Sequence, residues 1–287
     1  MALQPEPAGS RVSLWGEGPI WWENSLFYVD IEGHAVIRFE PGSEEESWDV
    51  GERVGTVVPR SQGGLVIAGD FGFSALDPRS GEKTLLADPE AEKRPDNRFN
   101  DGKCDPEGRF WAGTISTVKK TGDAALYTLF PDGSVKRQFE GVTNSNGLVW
   151  SADGTQFFYI DTPRKEVLLF DYDRAAGAIM NPRTFLSTEA KGYDSSPDGM
   201  AIDSLGNLWI AFCHGGCVAS FDGENGNELD RIDFPCIETT APAFGGPDRK
   251  TLYVTTGIKK GLAEPLAGRL FAVEVDVAGA PSVPFAG

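Results

Sequence analysis

Histidine and cysteine are scarce in this 287-residue chain. It has two histidines, His34 and His214, and four cysteines, Cys104, Cys213, Cys217 and Cys236. Four unevenly spaced cysteines exclude a disulfide framework and point to a reducing cytoplasm. Two histidines, both in turn contexts, and no G-x-S-x-G leave a Ser-His-Asp hydrolase without support. The stretch CHGGC (Cys213–Cys217) is not a standard zinc spacing, and no second pair completes one, so it reads as a Gly-rich turn between strands. There is no run of 18 apolar residues, hence no membrane span is expected. The opening MALQPEPAGSR lacks a basic region followed by an apolar core, so no secretory signal is expected either. Basic residues are in deficit: 26 Lys+Arg stand against 43 Asp+Glu, a net charge of −17. Such a charge repels nucleic acid and anionic membranes and suits a cation or a small-molecule partner. Helical periodicity of useful length is absent as well.

What the chain has in abundance is turns and short strands. Thirty-five glycines and 19 prolines are spread along its length. Six segments repeat one pattern: SLFYVD (Ser25–Asp30), GLVIAG (Gly64–Gly69), RFWAGT (Arg109–Thr114), QFFYID (Gln156–Asp161), NLWIAF (Asn207–Phe212) and TLYVTT (Thr251–Thr256). Each follows a polar turn and is followed by a second alternating strand and another turn. A period of about 40–50 residues carrying about four strands marks a propeller blade. The expected fold is all-β: one six-bladed β-propeller with four-stranded blades spanning residues 1–287, with residues 1–10 as an N-terminal extension. The strand RVSLWG (Arg11–Gly16) is expected to close the last blade, and each repeated segment to be the innermost strand of its blade.

Ahead of four of these segments stands an oxygen-bearing residue with glycine close behind: Glu17, Asn100, Asn146 and Asp198, in GEGPIWW, FNDGKCD, SNGLVWS and PDGMAID. Asp-Gly and Asn-Gly alone are ordinary turn dipeptides. Recurrence at matched phase on four blades instead aims two carboxylates and two amides at one axis. That is costly unless a cation binds there. All-oxygen ligands suit a hard divalent ion, Ca²⁺ or Mg²⁺.

These pieces, with RFNDGKCDPEGRFWAGT, SNGLVWSADG, PDGMAIDSLGNLWIA and FGGPDRKTLYVTT, stand in the order found in the gluconolactonase/regucalcin family, which the chain resembles from about Leu14 to its final PFAG. The resemblance implies a propeller with one catalytic divalent cation in its central channel, Ca²⁺ in first place and Mg²⁺, Mn²⁺ or Zn²⁺ as alternatives. It implies a hydrolase that opens sugar lactones. Glu17, Asn146 and Asp198 match the family's metal ligands, and Asp198 its acid/base. Arg98 and Asn100 match substrate-binding positions. Asp101 is expected to steer Asn100 or Lys103, and Lys103 to offset charge in the channel. The loop Ser116–Ala124 departs from the animal regucalcins, which carry a substrate-contacting glutamate where Thr117 or Val118 stands here. Two other readings remain at this point: a phosphotriesterase of the diisopropyl-fluorophosphatase kind on the same scaffold, and a non-catalytic calcium-binding propeller. A monomer is the default.

Overall fold

Alternation of side chains along each strand decides how the strands stack. In Gln156–Asp161, Phe157 and Tyr159 enter one apolar cluster while Phe158 and Ile160 enter another. In Leu208–Cys213, Leu208, Ile210 and Phe212 face one way and Trp209 and Ala211 the other. A strand with a period of two and apolar residues on both faces is covered on both faces. Stacking four-stranded sheets face to face meets that demand, and closing the stack into a ring leaves no bare face.

The computed structural model describes residues 4–287 and contains six four-stranded antiparallel sheets. Counted along the chain, the blades span Gly16–Asp49, Val54–Ala87, Asn97–Val142, Ser145–Ser187, Ser196–Asp233 and Thr239–Glu274. Six apolar clusters lie among the described residues, one at each junction between neighbouring blades. The sixth blade has only three strands in sequence, and its outer strand is Glu6–Pro7, paired with Ala272 and Phe271. The closing strand thus comes from earlier in the chain than the expected Arg11–Gly16, which touches that blade through the bridge Trp15–Gly257 and single hydrogen bonds to its loops but adds no strand to its sheet. Glu6–Pro7 lies within the expected extension over residues 1–10, of which residues 1–3 are outside the described residues. At the other end of the chain, Phe285 is buried in the junction of blades two and three, and its N–H donates to Pro59 O at 2.8 Å.

The phase of the repeat differs from the sequence expectation by one strand. The innermost strands are Gly16–Trp22, Val54–Pro59, Asn97–Cys104, Ser145–Trp150, Ser196–Ile202 and Thr239–Gly245, and the repeated apolar segments are second in their sheets. The turn DPEG therefore joins the first strand of blade three to its second. Glu17, Asn100, Asn146 and Asp198 lie inside the innermost strands, not ahead of them.

Candidate metal centre

Every innermost strand is irregular at the same level. Its pairing with the second strand slips between Glu17 and Ile20, Val54 and Thr56, Phe99 and Gly102, Asn146 and Leu148, Pro197 and Met200, and Thr239 and Ala241. A bulge bends a strand and re-aims the side chains beside it. Six bulges at one height make a collar around the axis, and the polar residues sit on it.

Neighbouring inner strands touch backbone to backbone there. A Cβ on Gly55 would lie 2.2 Å from Asn100 O, and one on Gly147 would lie 2.8 Å from Asp198 O. Side chains tie inner strands together as well. Thr240 Oγ1 donates to Gly16 O at 2.6 Å, Thr56 Oγ1 to Gly102 O at 2.9 Å, and Asn100 Nδ2 to Ser145 O at 2.8 Å. The glycines that follow the polar residues are thus required by close approach, whereas in an isolated hairpin they would mark a turn.

Asn100 and Asn146 meet directly: Asn100 Nδ2 donates to Asn146 Oδ1 at 2.9 Å. Asn146 is held from behind, its Nδ2 donating to Thr162 Oγ1 at 2.7 Å, and Thr162 in turn donates to Pro197 O, next to Asp198, at 2.9 Å. Glu17 Oε2 accepts the N–H of Gly18 at 2.9 Å. Glu17 and Asp198 are 4% and 6% exposed. Burial, then the charge of Asp101, raises the Glu17 carboxyl to about 8. Burial, then Glu17, then Asp101, pushes Asp198 well above the ordinary carboxylate range. Asp101 thus acts on Glu17, and both act on Asp198.

Arg98 Nη1 donates to Phe99 O and to Asn100 Oδ1, both at 2.8 Å. Its Nε is buried without a partner. Burial, then the neighbouring Arg53, lowers the guanidinium to about 10. Lys103 donates to Met200 O of blade five, fixing its ammonium inside the ring. The expected steering of Asn100 or Lys103 by Asp101 does not take the form of a hydrogen bond. Asp101 Oδ1 accepts the N–H of Gly102 at 2.7 Å, and Oδ2 is buried without a partner. In the loop Ser116–Ala124, Thr117 Oγ1 donates to Asp96 O, Val118 is exposed, and Asp123 pairs with Lys120.

The donor set fits a hard cation. Three buried acids, Glu17, Asp101 and Asp198, face two buried bases, Arg98 and Lys103, and Asp101 keeps an unpaired oxygen. The collar is short of positive charge, and its anionic donors are carboxylate oxygens, with the Cys213 thiol touching it only through Asp198. This has a consequence for stability. An unfolded Glu17 titrates near 4.5, whereas the folded group titrates near 8. Between these values the folded state holds the extra proton, so stability falls as pH rises through that window. Chelator-treated protein should therefore lose stability between about pH 5 and about pH 8 relative to Glu17→Gln, as read from denaturation midpoints. A constant difference between the two proteins across that range would contradict the burial argument.

An apolar recess opens at the far end of the same strands, lined by Ile20, Lys103, Ala201, Pro242 and Phe244 among others. Apart from Lys103 and the Cys104 thiol, which burial keeps neutral, those walls carry no titratable group, so the chemistry belongs to the collar.

Another cluster lies at the seam of blades five and six, where sequence spacing did not place one. Glu238 Oε2 accepts from Cys213 Sγ at 3.0 Å and from His214 N at 3.0 Å, and lies 2.6 Å from His214 Nδ1. Glu238 comes from the neighbouring blade, so no local motif signals it.

A family model described as SMP-30/Gluconolactonase/LRE-like region matches residues 15–258. Regucalcin from Danio rerio is 43% identical over 257 residues, covering 88% of this chain and 86% of that protein. A Bacillus subtilis protein named "Putative sugar lactone lactonase YvrE" is 36% identical over 280 residues, 95% of each chain. Among solved structures, the calcium-binding protein regucalcin from Agrobacterium tumefaciens aligns with a TM-score of 0.93 at 26% identity, over 99% of this chain and 98% of that one.

Proposed function

Because the chain belongs to the SMP-30/gluconolactonase/LRE-like family, whose membership supports a sugar-lactone hydrolase, we propose that it is a divalent-metal-dependent lactonase that opens aldonolactones to aldonic acids. The observation that supports this reading is the collar: Glu17, Asn146 and Asp198 each stand at a bulge of an innermost strand, the Glu17 carboxyl raised by burial and the charge of Asp101, and that of Asp198 by burial and the charges of Glu17 and Asp101. The Bacillus relative's name points the same way.

Glu17, Asn146 and Asp198 would hold the ion, with Ca²⁺ the first choice for an all-oxygen set and Mg²⁺, Mn²⁺ or Zn²⁺ as substitutes. When bound, such an ion supplies Lewis acidity toward the lactone carbonyl oxygen. Asp198 takes the proton of the attacking water as the acyl C–O bond forms. It returns that proton to the ring oxygen as the ring C–O bond breaks, leaving a carboxylic acid and a free hydroxyl. Arg98 and Asn100 orient the substrate together: Asn100, whose two amide hydrogens go to Ser145 O and Asn146 Oδ1, holds the guanidinium through its Oδ1, and Arg98 keeps donors free for the substrate, set in place at little entropic cost. Lys103 and Asp101 set the field beneath the site. The neutral cysteines and the acidic surface agree with a cytoplasmic enzyme acting on a small molecule; among the described residues no helix is long and apolar enough to cross a membrane.

The test is a pH-indicator assay with gluconolactone, a pentonolactone and one phosphotriester. Protein stripped with chelator should be inactive, and added Ca²⁺, Mg²⁺, Mn²⁺ or Zn²⁺ should restore acid release from a lactone. Turnover that persists after stripping overturns the metal mechanism. Turnover of the phosphotriester alone overturns the lactone.

A further inference from the structure

We propose that Cys213, His214 and Glu238 form a second metal site, selective for a borderline-soft divalent ion such as Zn²⁺ and set apart from the carboxylates and amides of the collar by its sulfur and imidazole ligands. Glu238 is 1% exposed at the head of blade six's inner strand and is bridged to Cys213 of blade five. One sulfur, one imidazole nitrogen and one carboxylate oxygen converge there, each within 4.8 Å of the others. The separations are 3.0 Å for Sγ–Oε2, 2.6 Å for Nδ1–Oε2 and 3.9 Å for Sγ–Nδ1. Tetrahedral zinc with bonds of about 2.0–2.3 Å separates its ligands by about 3.3–3.6 Å, so the ion would move Oε2 off Nδ1 and Sγ and draw Sγ towards Nδ1, each by less than about 1 Å.

The backbone holds the three in place. His214 has φ +67, in the left-handed region, and its N–H is bound by the same Glu238 oxygen that faces its ring. Cys217, the other sulfur of CHGGC, lies in the apolar junction of blades four and five and takes no part. Lys259 does not block the site, because its ammonium stands 3.6 Å from Oε1 while the ligands gather on Oε2. Glu238 can therefore bind an ion through one oxygen and keep Lys259 on the other. His214 is half exposed, which leaves the fourth coordination position open to water.

The proton account balances. Cys213 Sγ donates to Glu238 Oε2, so the thiol carries its proton. Binding breaks the S–H bond, forms a sulfur–metal bond and sends that proton to solvent. The imidazole gives up its Nδ1 proton and takes one from water at Nε2, so one proton leaves per ion bound.

Cobalt is the probe, since a thiolate ligand gives Co²⁺ a charge-transfer band that oxygen ligands do not. Full-length reduced protein, stripped and then given excess Ca²⁺ to fill the collar, is titrated with Co²⁺. One equivalent should bind with the band, release one proton, and be displaced by Zn²⁺. Cys213→Ser should abolish the band, and Glu17→Gln should keep it. His214 is at the surface, so His214→Ala should fold normally and weaken cobalt binding by at least about tenfold. A wild-type protein without the band, or a band that survives Cys213→Ser, overturns the site. No arm of this titration reads lactone turnover, so its outcome is independent of the proposed hydrolysis.

Discussion

Asp198→Asn should lower kcat on the best lactone by about a thousandfold or more, since it removes both the proton acceptor and an anionic ligand of the ion. The same substitution should not unfold the protein. Asparagine keeps the shape, and the carboxyl it replaces is one that burial and the charges of Glu17 and Asp101 disfavour. Chelator-treated Asp198→Asn should therefore have a denaturation midpoint equal to or above that of the wild type. This pairing separates function from structure. A residue kept for packing would lower both quantities together. Wild-type turnover in this variant, with the ion bound, would remove Asp198 from the mechanism.

Gly55→Ala carries the other large effect, and it acts on the scaffold. The added methyl would meet Asn100 O at 2.2 Å, Phe99 O at 2.6 Å and Asn100 Cα at 2.7 Å. All three are backbone atoms of the adjacent inner strand, so no side-chain rotation relieves the clash. The expected cost is about 3 kcal/mol, the upper range for overpacking, which lowers the melting midpoint by roughly 5–10 °C. Because the strand pushed aside carries Arg98 and Asn100, KM for the lactone should rise in the same variant. A melting midpoint and KM that match the wild type would show that the ring tolerates wider spacing at the collar.

Much of this was legible in one dimension. A blade is a local object, four consecutive strands joined by tight turns, so six blades leave six copies of one apolar pattern in the sequence. The strands of the pattern that read most clearly are those buried on both faces, such as Phe110–Ser116 and Gln156–Asp161. For the same reason the phase was misread by one strand. The true inner strands alternate less cleanly, because they are polar at the collar and broken there by bulges. The position of Glu17, Asn100, Asn146 and Asp198 at equal phase was visible; that they lie within strands was not. The closing strand, Glu6–Pro7, is two residues long and has no periodicity to detect.

Composition and repetition by themselves thus determined an all-β ring of six units and nominated its oxygen-bearing positions, because both follow from local alternation and regular spacing. Tertiary structure decided everything that depends on which blade lies beside which. It joined Asn100 to Asn146 across one seam, left Asp101 Oδ2 without a partner, and brought Glu238 to Cys213 and His214 across another. Those contacts are made by ring closure, and a linear pattern holds no record of how far each bulge turns a side chain toward the axis.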